Sequence, residues 1–453
     1  MVNRARRVLG LPRVVLRNVA VKVLSEIPSK LIRLALLILA ARWLGRAEFG
    51  IYSYAVALGY ILVQFADMGL QLHLARMVSR EPATAEVTLA RVLRSKLCLV
   101  TAVGLTVLVI GGAASRPHER WLIWIVGAAL ILNSFAELAN HLFRGFQRLE
   151  FEVRVNLLNV GLGTIVGLSA LRLGGGSIGL ACGMLFGAAV SCAVAWRSVH
   201  REFVPWPRWF GDHGGWFDAL RPALPIGTAI VLSVVYFRVD VLFLEHYRGP
   251  ETVGLYIAAY RIVESFMFLP AILLAALFPA FSEMTLQEPA RLAQLLRASL
   301  LLLLGTATPV ALGILVGATA VIRIMFGEQY QQAVPVLRIL SPGLVLIFLN
   351  YGLTHFLIAL GRARMNVWLT ATCLAVNVGG NWLLIPRYGM NAAAATTVVT
   401  EAVLFSGAFF LVRGGVRQLE RARSGLRSGD SSALMTTEQV ARATEIRAEA
   451  SRL

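Results

Sequence analysis

Twelve apolar blocks, each about twenty residues long, follow one another between Asn18 and Val412, and this repetition constrains the chain more than any other feature. A helix rising 1.5 Å per residue needs about twenty residues to cross the hydrocarbon core of a bilayer. Inside that core every backbone N–H and C=O must be bonded within the protein, so segments of this length and character have to be helices. Hydrophobic residues make up 57% of the chain and charged residues 15%, far from the balance of a soluble domain. The expected fold is an all-α polytopic membrane protein. Its spans fall near 18–41, 49–73, 90–114, 121–143, 154–173, 177–196, 220–245, 254–280, 293–318, 333–360, 364–385 and 389–412.

Loop charge orients the spans. The N-terminus, the even-numbered connections with their flanking span ends, and the C-terminal tail hold 29 Lys and Arg, against 8 in the odd-numbered connections. The positive-inside rule then places both termini in the cytoplasm of a cell whose inner membrane the chain crosses many times. The net charge of +18 is accounted for by these loop arginines, and no nucleic-acid partner is expected. No signal peptide is expected, because no A-x-A-like cleavage site follows the basic N-terminus. Cys98, Cys182, Cys192 and Cys373 all sit inside apolar blocks, without disulfide or metal-ligand spacing.

The first span is apolar except along one side. Lys22, Glu26, Lys30 and Arg33, joined by Asn18, Ser25 and Ser29, fall within an arc of about 140° at 100° per residue. A charge facing lipid at mid-bilayer costs roughly 3 kcal/mol or more, so this arc must face protein or water. It reads as one wall of a cationic cavity. Mutual neutralisation of Lys22, Glu26 and Lys30 at helical spacing is the alternative. Other spans carry polar faces too: Asn133, Glu137, Asn140, His141 and Arg144 in the fourth, Gln64, Asp67 and Gln71 in the second, Arg261 and Glu264 in the eighth. Arg261 and Glu264 are equally readable as a buried pair.

The two halves resemble each other. Gly45, Gly50 and Tyr52 recur 204 residues later as Gly249, Gly254 and Tyr256, and Arg33 matches Arg238 at a distance of 205. Six helices separate the copies, so both halves run the same way. Two six-helix lobes are expected, residues 1–199 and 220–413, joined by an interfacial linker at 200–219 that carries Trp206, Trp209 and Trp216. Residues 414–453 form a polar tail. The glycines Gly174, Gly176 and Gly179 fit G-x-G-x-x-G but lie in a turn between apolar spans, with no strand before them, so no nucleotide site is expected there. No phosphate loop, metal motif or nucleophile–base pair is present in the sequence. The chain is not expected to be an enzyme and has no catalytic residues or cofactor.

Arg42-Trp43-Leu44-Gly45 with Glu48-Phe49-Gly50-Ile51-Tyr52, and Arg238-Val239-Asp240 with Gly254-Leu255-Tyr256-Ile257-Ala258-Ala259-Tyr260-Arg261, form paired signatures. Phe326-Gly327-Glu328-Gln329-Tyr330 before Pro335-Val336-Leu337-Arg338, and Asn377 to Asn381 before Ile385-Pro386-Arg387-Tyr388-Gly389, extend them. Together they resemble the Wzx-type oligosaccharide flippases of the MOP superfamily, which share a fold with MATE multidrug exporters. The resemblance implies translocation of undecaprenyl-pyrophosphate-linked oligosaccharide across the inner membrane, for O-antigen, capsule or exopolysaccharide. It implies membrane lipid and the lipid-linked oligosaccharide as partners, contact with other polysaccharide-assembly membrane proteins, and a monomer. Related lipid II flippases use two further helices as a lipid groove, and a chain of twelve spans argues against lipid II as substrate.

On that reading Lys22, Lys30, Arg33, Arg238 and Arg261 supply donors for a pyrophosphate, and Asn133 and Asn140 suit sugar hydroxyls. Glu137, Glu264 and Asp67 are the candidate ion-coupling groups, with H+ or Na+ left open. Glu264 is expected to hold Arg261, and Glu137 to exchange protons. A MATE-like cation-coupled antiporter is the alternative within transport, though it calls for an acidic cavity. A polymerase or ligase calls for a long external loop, which is missing.

Overall fold

The computed structural model describes residues 13–204, 215, 217–274 and 289–428, and among these the secondary structure is helical throughout, with no strand. The helices are α1 (Arg13–Asp67), α2 (Leu70–Arg80), α3 (Ala85–Ala113), α4 (Pro117–Gly145), α5 (Leu149–Arg172), α6 (Gly176–Glu202), α7 (Phe217–Arg248), α8 (Pro250–Ser265), α9 (Pro289–Phe326), α10 (Val334–Ala359), α11 (Ala363–Tyr388) and α12 (Met390–Ser428). Eleven stretches among the described residues are long and apolar enough to cross a membrane. The first of them, Pro28–Asp67, takes in part of the first expected span and most of the second.

The expected first connection is therefore a kink rather than a loop. Gly45 takes φ 75° and ψ 172° inside α1, a conformation open only to glycine at little cost, and the chain turns there without leaving the helical run. Gly249, its counterpart in the sequence repeat, has φ 79° between α7 and α8. The second span stops earlier than expected, at Asp67, because Met68 and Gly69 both adopt positive φ and start the short helix α2. The expected eighth span extends beyond Leu274 into residues outside those described. Most of the linker at 200–219 and the tail beyond Ser428 lie outside them too, while α12 carries the helix past Arg413.

Large apolar side chains face outward over many helices: Leu105, Leu108 and Val109 of α3, Ile165 of α5, Val316 and Ile324 of α9, Trp382 and Leu383 of α11, Phe410 of α12. A protein surrounded by water rarely leaves so many in the open, whereas lipid accepts them. The chain packs as two compact units. The first comprises Met1–Ser265, Ile314–Leu340 and Thr370–Thr397. One part of its core joins Leu70, Leu74 and Val78 of α2 to Leu89 and Leu93 of α3 and to Leu138, Leu142 and Phe143 of α4. Another joins Ile51, Ala55 and Leu58 of α1 to Val126 and Leu130 of α4. The second unit comprises Phe266–Gly313, Ser341–Leu369 and Val398–Leu453, with a core of Leu292, Leu353, Phe356, Leu357, Ala408 and Val412.

Two features of the first unit set the position of its interior. Helices α5 and α6 lie backbone to backbone, with Gly163 and Gly167 against Gly183 and Gly187, so that polar residues of α5 are held in a fixed register. Helices α1 and α8 meet by a reciprocal contact. A Cβ on Gly50 would lie 1.8 Å from the Pro250 carbonyl oxygen, and one on Gly254 would lie 2.1 Å from the Arg46 carbonyl oxygen. Arginines also close off two helix ends. Arg42 donates to the carbonyls of Ile324 and Met325 at the end of α9, and Arg248 to those of Ile385 and Pro386 near the end of α11.

Candidate functional site

Within the first unit lies a cavity of about 390 Å³. Helix α1 contributes Arg33, Tyr52, Ser53 and Tyr60, α4 contributes Asn133, α5 contributes Asn159 and Thr164, α7 contributes Arg238, and α8 contributes Arg261 and Glu264. Leu36, Leu37, Leu130, Val160 and Met184 complete the lining with apolar surface. Five of the residues singled out from sequence thus share one space: Arg33, Arg238, Arg261, Glu264 and Asn133.

Glu264 organises the charge. Its Oε1 accepts from Nη2 of Arg238 at 2.8 Å and its Oε2 from Nη1 of Arg261 at 2.6 Å. The three side chains are 15–27% exposed, so the bonds form in a partly desolvated setting that strengthens them. No carboxylate among the described residues forms a salt bridge with Arg33. Three guanidinium groups against one carboxylate leave the cavity with a formal excess of +2. The Nε of Arg261 is buried without a hydrogen-bond partner, a donor held ready for an acceptor. The arrangement can bind an anion of two charges through forked donors on separate helices.

Other expected site residues lie elsewhere. Lys30 is exposed and is not among the cavity's lining residues, so of the five cations expected at the site three arginines are brought together. The side chain of Lys22 lies outside the described residues. Asn140 is buried away from the cavity, where its Nδ2 donates to Asn156 Oδ1 at 3.2 Å and to Glu137 Oε1 at 3.3 Å. Glu137 belongs to an ionic network between α4 and α5. There Arg144 grips Glu152 with two bonds of 2.8 and 2.7 Å, and its Nη2 lies 4.0 Å from Glu137 Oε2. Nδ1 of His141 is 2.9 Å from the Glu137 carbonyl, which can only accept, so Nδ1 carries the proton and Nε2 receives the 3.0 Å bond from Arg144.

Asp67 is held in a buried triad. The wholly buried Lys96 of α3 donates to Asp67 Oδ1 and to Ser134 Oγ at 2.6 Å, and Ser134 in turn donates to Asp67 at 2.8 Å. Lys96 is not among the residues singled out from sequence. Asp240, noted only as part of a motif, is also buried, accepting from the Tyr256 hydroxyl and from the Val241 amide at 2.9 Å. The polar residues of α11 form a short buried ladder in which Asn381 donates to Asn377 at 2.8 Å. In the second unit Glu401 accepts from Asn350 at 2.7 Å. Asn159 and Thr164, which the sequence reading passed over, line the cavity.

A family model described as "Polysaccharide biosynthesis protein" matches residues 15–285, and one described as "MatE" matches residues 225–383. The chain is similar to a probable low-salt glycan biosynthesis flippase, Agl15, of Haloferax volcanii, with 23% identity over 80% of this chain and 76% of that protein. It is 24% identical to a putative O-antigen transporter of Escherichia coli over 82% of this chain and 90% of the relative. A stronger but shorter match, 37% identity to a probable multidrug resistance protein NorM of Geobacillus kaustophilus, spans 24% of this chain and about a quarter (26%) of that protein. Among solved structures, the lipid II flippase MurJ in an inward closed conformation superposes with a TM-score of 0.72 at 13% identity, over 88% of this chain and 89% of that one. An inward-facing MATE family transporter of the MOP superfamily follows at 0.70 and 16%, over 87% and 96%. Both likenesses concern the fold.

Proposed function

The chain belongs to the polysaccharide biosynthesis protein family, and from that premise we propose that it is a flippase for lipid-linked oligosaccharide. The observation that carries this reading is the cavity with an excess of +2 formed by Arg33, Arg238, Arg261 and Glu264 inside a multi-pass membrane protein. A pyrophosphate esterified at both ends, to a polyprenol and to a sugar, is a dianion at neutral pH and matches that excess. The substrate is undecaprenyl-pyrophosphate-linked oligosaccharide, moved from the cytoplasmic to the external leaflet of the inner membrane. Outward movement of the dianion runs with an inside-negative potential, worth about 2.3 kcal/mol per charge per 100 mV. A MATE-like exporter of cations fits less well, since the cavity would repel its cargo.

Reconstituted into liposomes, the protein is expected to carry a fluorescent undecaprenyl-pyrophosphoryl sugar between leaflets, read by an impermeant quencher. Arg238→Gln and Arg261→Gln are each expected to slow transfer about 10- to 100-fold, the worth of one charge-assisted hydrogen bond. A quenchable fraction no different from that of protein-free liposomes would sink the flippase reading.

In this reading residues 1–199 and 220–413 are the two lobes that rock about the cavity, the protein works as a monomer beside other polysaccharide-assembly proteins, and both termini are cytoplasmic. Thiol labelling at Ser115→Cys and Arg248→Cys should therefore occur from outside, and at Pro207→Cys and Ser424→Cys only after permeabilisation. Labelling of Ser115→Cys and Arg248→Cys from the inside alone overturns the orientation.

We further propose Glu137 as the group that exchanges protons during the return of the empty carrier. Glu264 is locked between two arginines and Asp67 is locked to Lys96, whereas Glu137 stands 4.0 Å from its nearest guanidinium and is about a third exposed. Glu137→Gln is expected to lower turnover several-fold and flatten its pH dependence. A parental rate and pH profile in that variant would exclude Glu137 as the coupling group.

A further inference from the structure

Arg33 reaches the cavity on a limb of α1 that is held at one end. Gly45 divides α1 into two limbs, and the first of them brings Arg33, Leu36, Leu37 and Ala40 to the cavity. From Pro28 to Leu39 no residue of that limb is buried, whereas Ala40 and Ala41, next to the corner, are 1% and 0% exposed. Arg33 stands twelve residues before Gly45, about 18 Å along the helix axis. Over such a lever a tilt of about 10° at the corner moves Arg33 by about 3 Å, the span of one hydrogen bond.

The corner is clasped by the segment between α9 and α10, and all the residues involved belong to the first unit. The last turn of a helix leaves carbonyls short of helical donors, and here two such ends supply donors to each other. The Tyr330 hydroxyl donates to the Ala41 carbonyl at 3.0 Å, and Gln329 Nε2 to the Arg42 carbonyl at 3.3 Å. Arg42 donates back to the carbonyls of Ile324 and Met325. Tyr330 is fully buried, with its ring edge-on to Phe49 at 6.3 Å between centroids. Phe49 lies on the second limb, so the ring rests on one limb while the hydroxyl holds the other. The second limb is fixed separately, by the main-chain contact with α8 at Arg46 and Gly50. Ala40 also packs with Leu171 and Leu180, but apolar contact has no direction, whereas the bonds of the clasp do. We propose that Tyr330 and Gln329 are positioning residues for Arg33: they set the angle of the first limb, and thereby the reach of Arg33 to an anion shared with Arg238 and Arg261. This role rests on the anion-binding reading of the cavity.

Inorganic pyrophosphate, titrated calorimetrically into the purified protein in detergent, is the probe. Tyr330→Phe keeps the ring and removes only the hydroxyl, and is expected to weaken binding about 3- to 10-fold, up to the worth of the bond that is lost. In an Arg33→Gln background the same change is expected to cost less than twofold, because the group it positions is gone and the two losses do not add. Gln329→Ala, at an exposed position, repeats the cycle if Tyr330→Phe fails to fold. With the four native cysteines replaced by serine, spin labels at Lys30→Cys and Phe65→Cys, one on each limb, read the limb angle without any ligand. Their distance distribution is expected to broaden in Tyr330→Phe. Parental affinity in the folded variants, or an unchanged distance distribution, overturns the positioning role. So does a loss in the Arg33→Gln background as large as in the parent, which would mean that Tyr330 acts through the fold as a whole. A parent that binds no pyrophosphate removes the anion-binding reading itself, and the role of Arg33 with it.

Discussion

Replacing Lys96 by methionine is expected to destabilise the protein by about 3–5 kcal/mol, the usual penalty for removing one partner of a buried ion pair. Lys96 is wholly buried and its ammonium has two oxygen partners, Asp67 Oδ1 and Ser134 Oγ. Methionine fills nearly the same volume, so the packing of α3 is kept and the loss is electrostatic. The stranded carboxylate of Asp67 would retain the Ser134 hydroxyl alone, at a depth where water is scarce. Asp67 is the last residue of α1, directly before the left-handed pair Met68 and Gly69, so its displacement would also loosen the entry to α2. The double variant Lys96→Met with Asp67→Leu is expected to regain most of the stability, because neither charge then remains buried. Thermal unfolding in detergent of the parent, both single variants and the double variant measures this. A double variant no more stable than the worse single would show that packing, not the unpaired charge, sets the loss.

A large effect on transport is also expected from Gly254→Ala, at a position outside the cavity lining. The new Cβ would lie 2.1 Å from the Arg46 carbonyl oxygen and 3.0 Å from its carbon, and both are backbone atoms that no rotamer change can move. Helices α1 and α8 must therefore part at this point. Arg46 and Glu251, whose side chains pair at 3.3 Å, report the separation. With the four native cysteines replaced by serine, a short thiol cross-linker should join Arg46→Cys to Glu251→Cys readily. Adding Gly254→Ala should cut that yield at least tenfold and take transport below a tenth of the parental rate. Gly104→Ala is the control: nothing lies within 4 Å of its Cβ, and alanine there favours the helix by up to about 1 kcal/mol. Undiminished cross-linking in Gly254→Ala would mean that the contact yields without opening.

Much of the architecture was legible because a bilayer leaves so few options. An apolar block of about twenty residues must be a helix, and its approximate limits follow. The kink at Gly45 was not legible as such, since one residue in an unusual conformation reads the same as a short loop. In the site, Arg33, Arg238, Arg261 and Glu264 stood out as charges that lipid would not tolerate. Depth was harder to read. Asn133 and Asn140 are seven residues apart, hence on nearly the same face of α4, but about 10 Å apart along it, and only Asn133 reaches the cavity. Lys96 lies five residues beyond Arg91 and two beyond Arg94, and that short step carries it from the span end into the interior. Periodicity gives a side chain's direction. It does not say where along the helix the neighbouring cavity ends.

The reciprocal contact between α1 and α8 bears on how such a chain can drift in sequence over time. Gly50 rests on the carbonyl of Pro250, and Gly254 rests on the carbonyl of Arg46, with both pairs of positions related by a step of 204. The seam is made of main chain on both sides, so it takes no account of the side chains at 46 and 250. An arginine stands at one and a proline at the other. Mutation can therefore erase the likeness between the two segments nearly everywhere while their mutual fit survives, provided the two glycines remain.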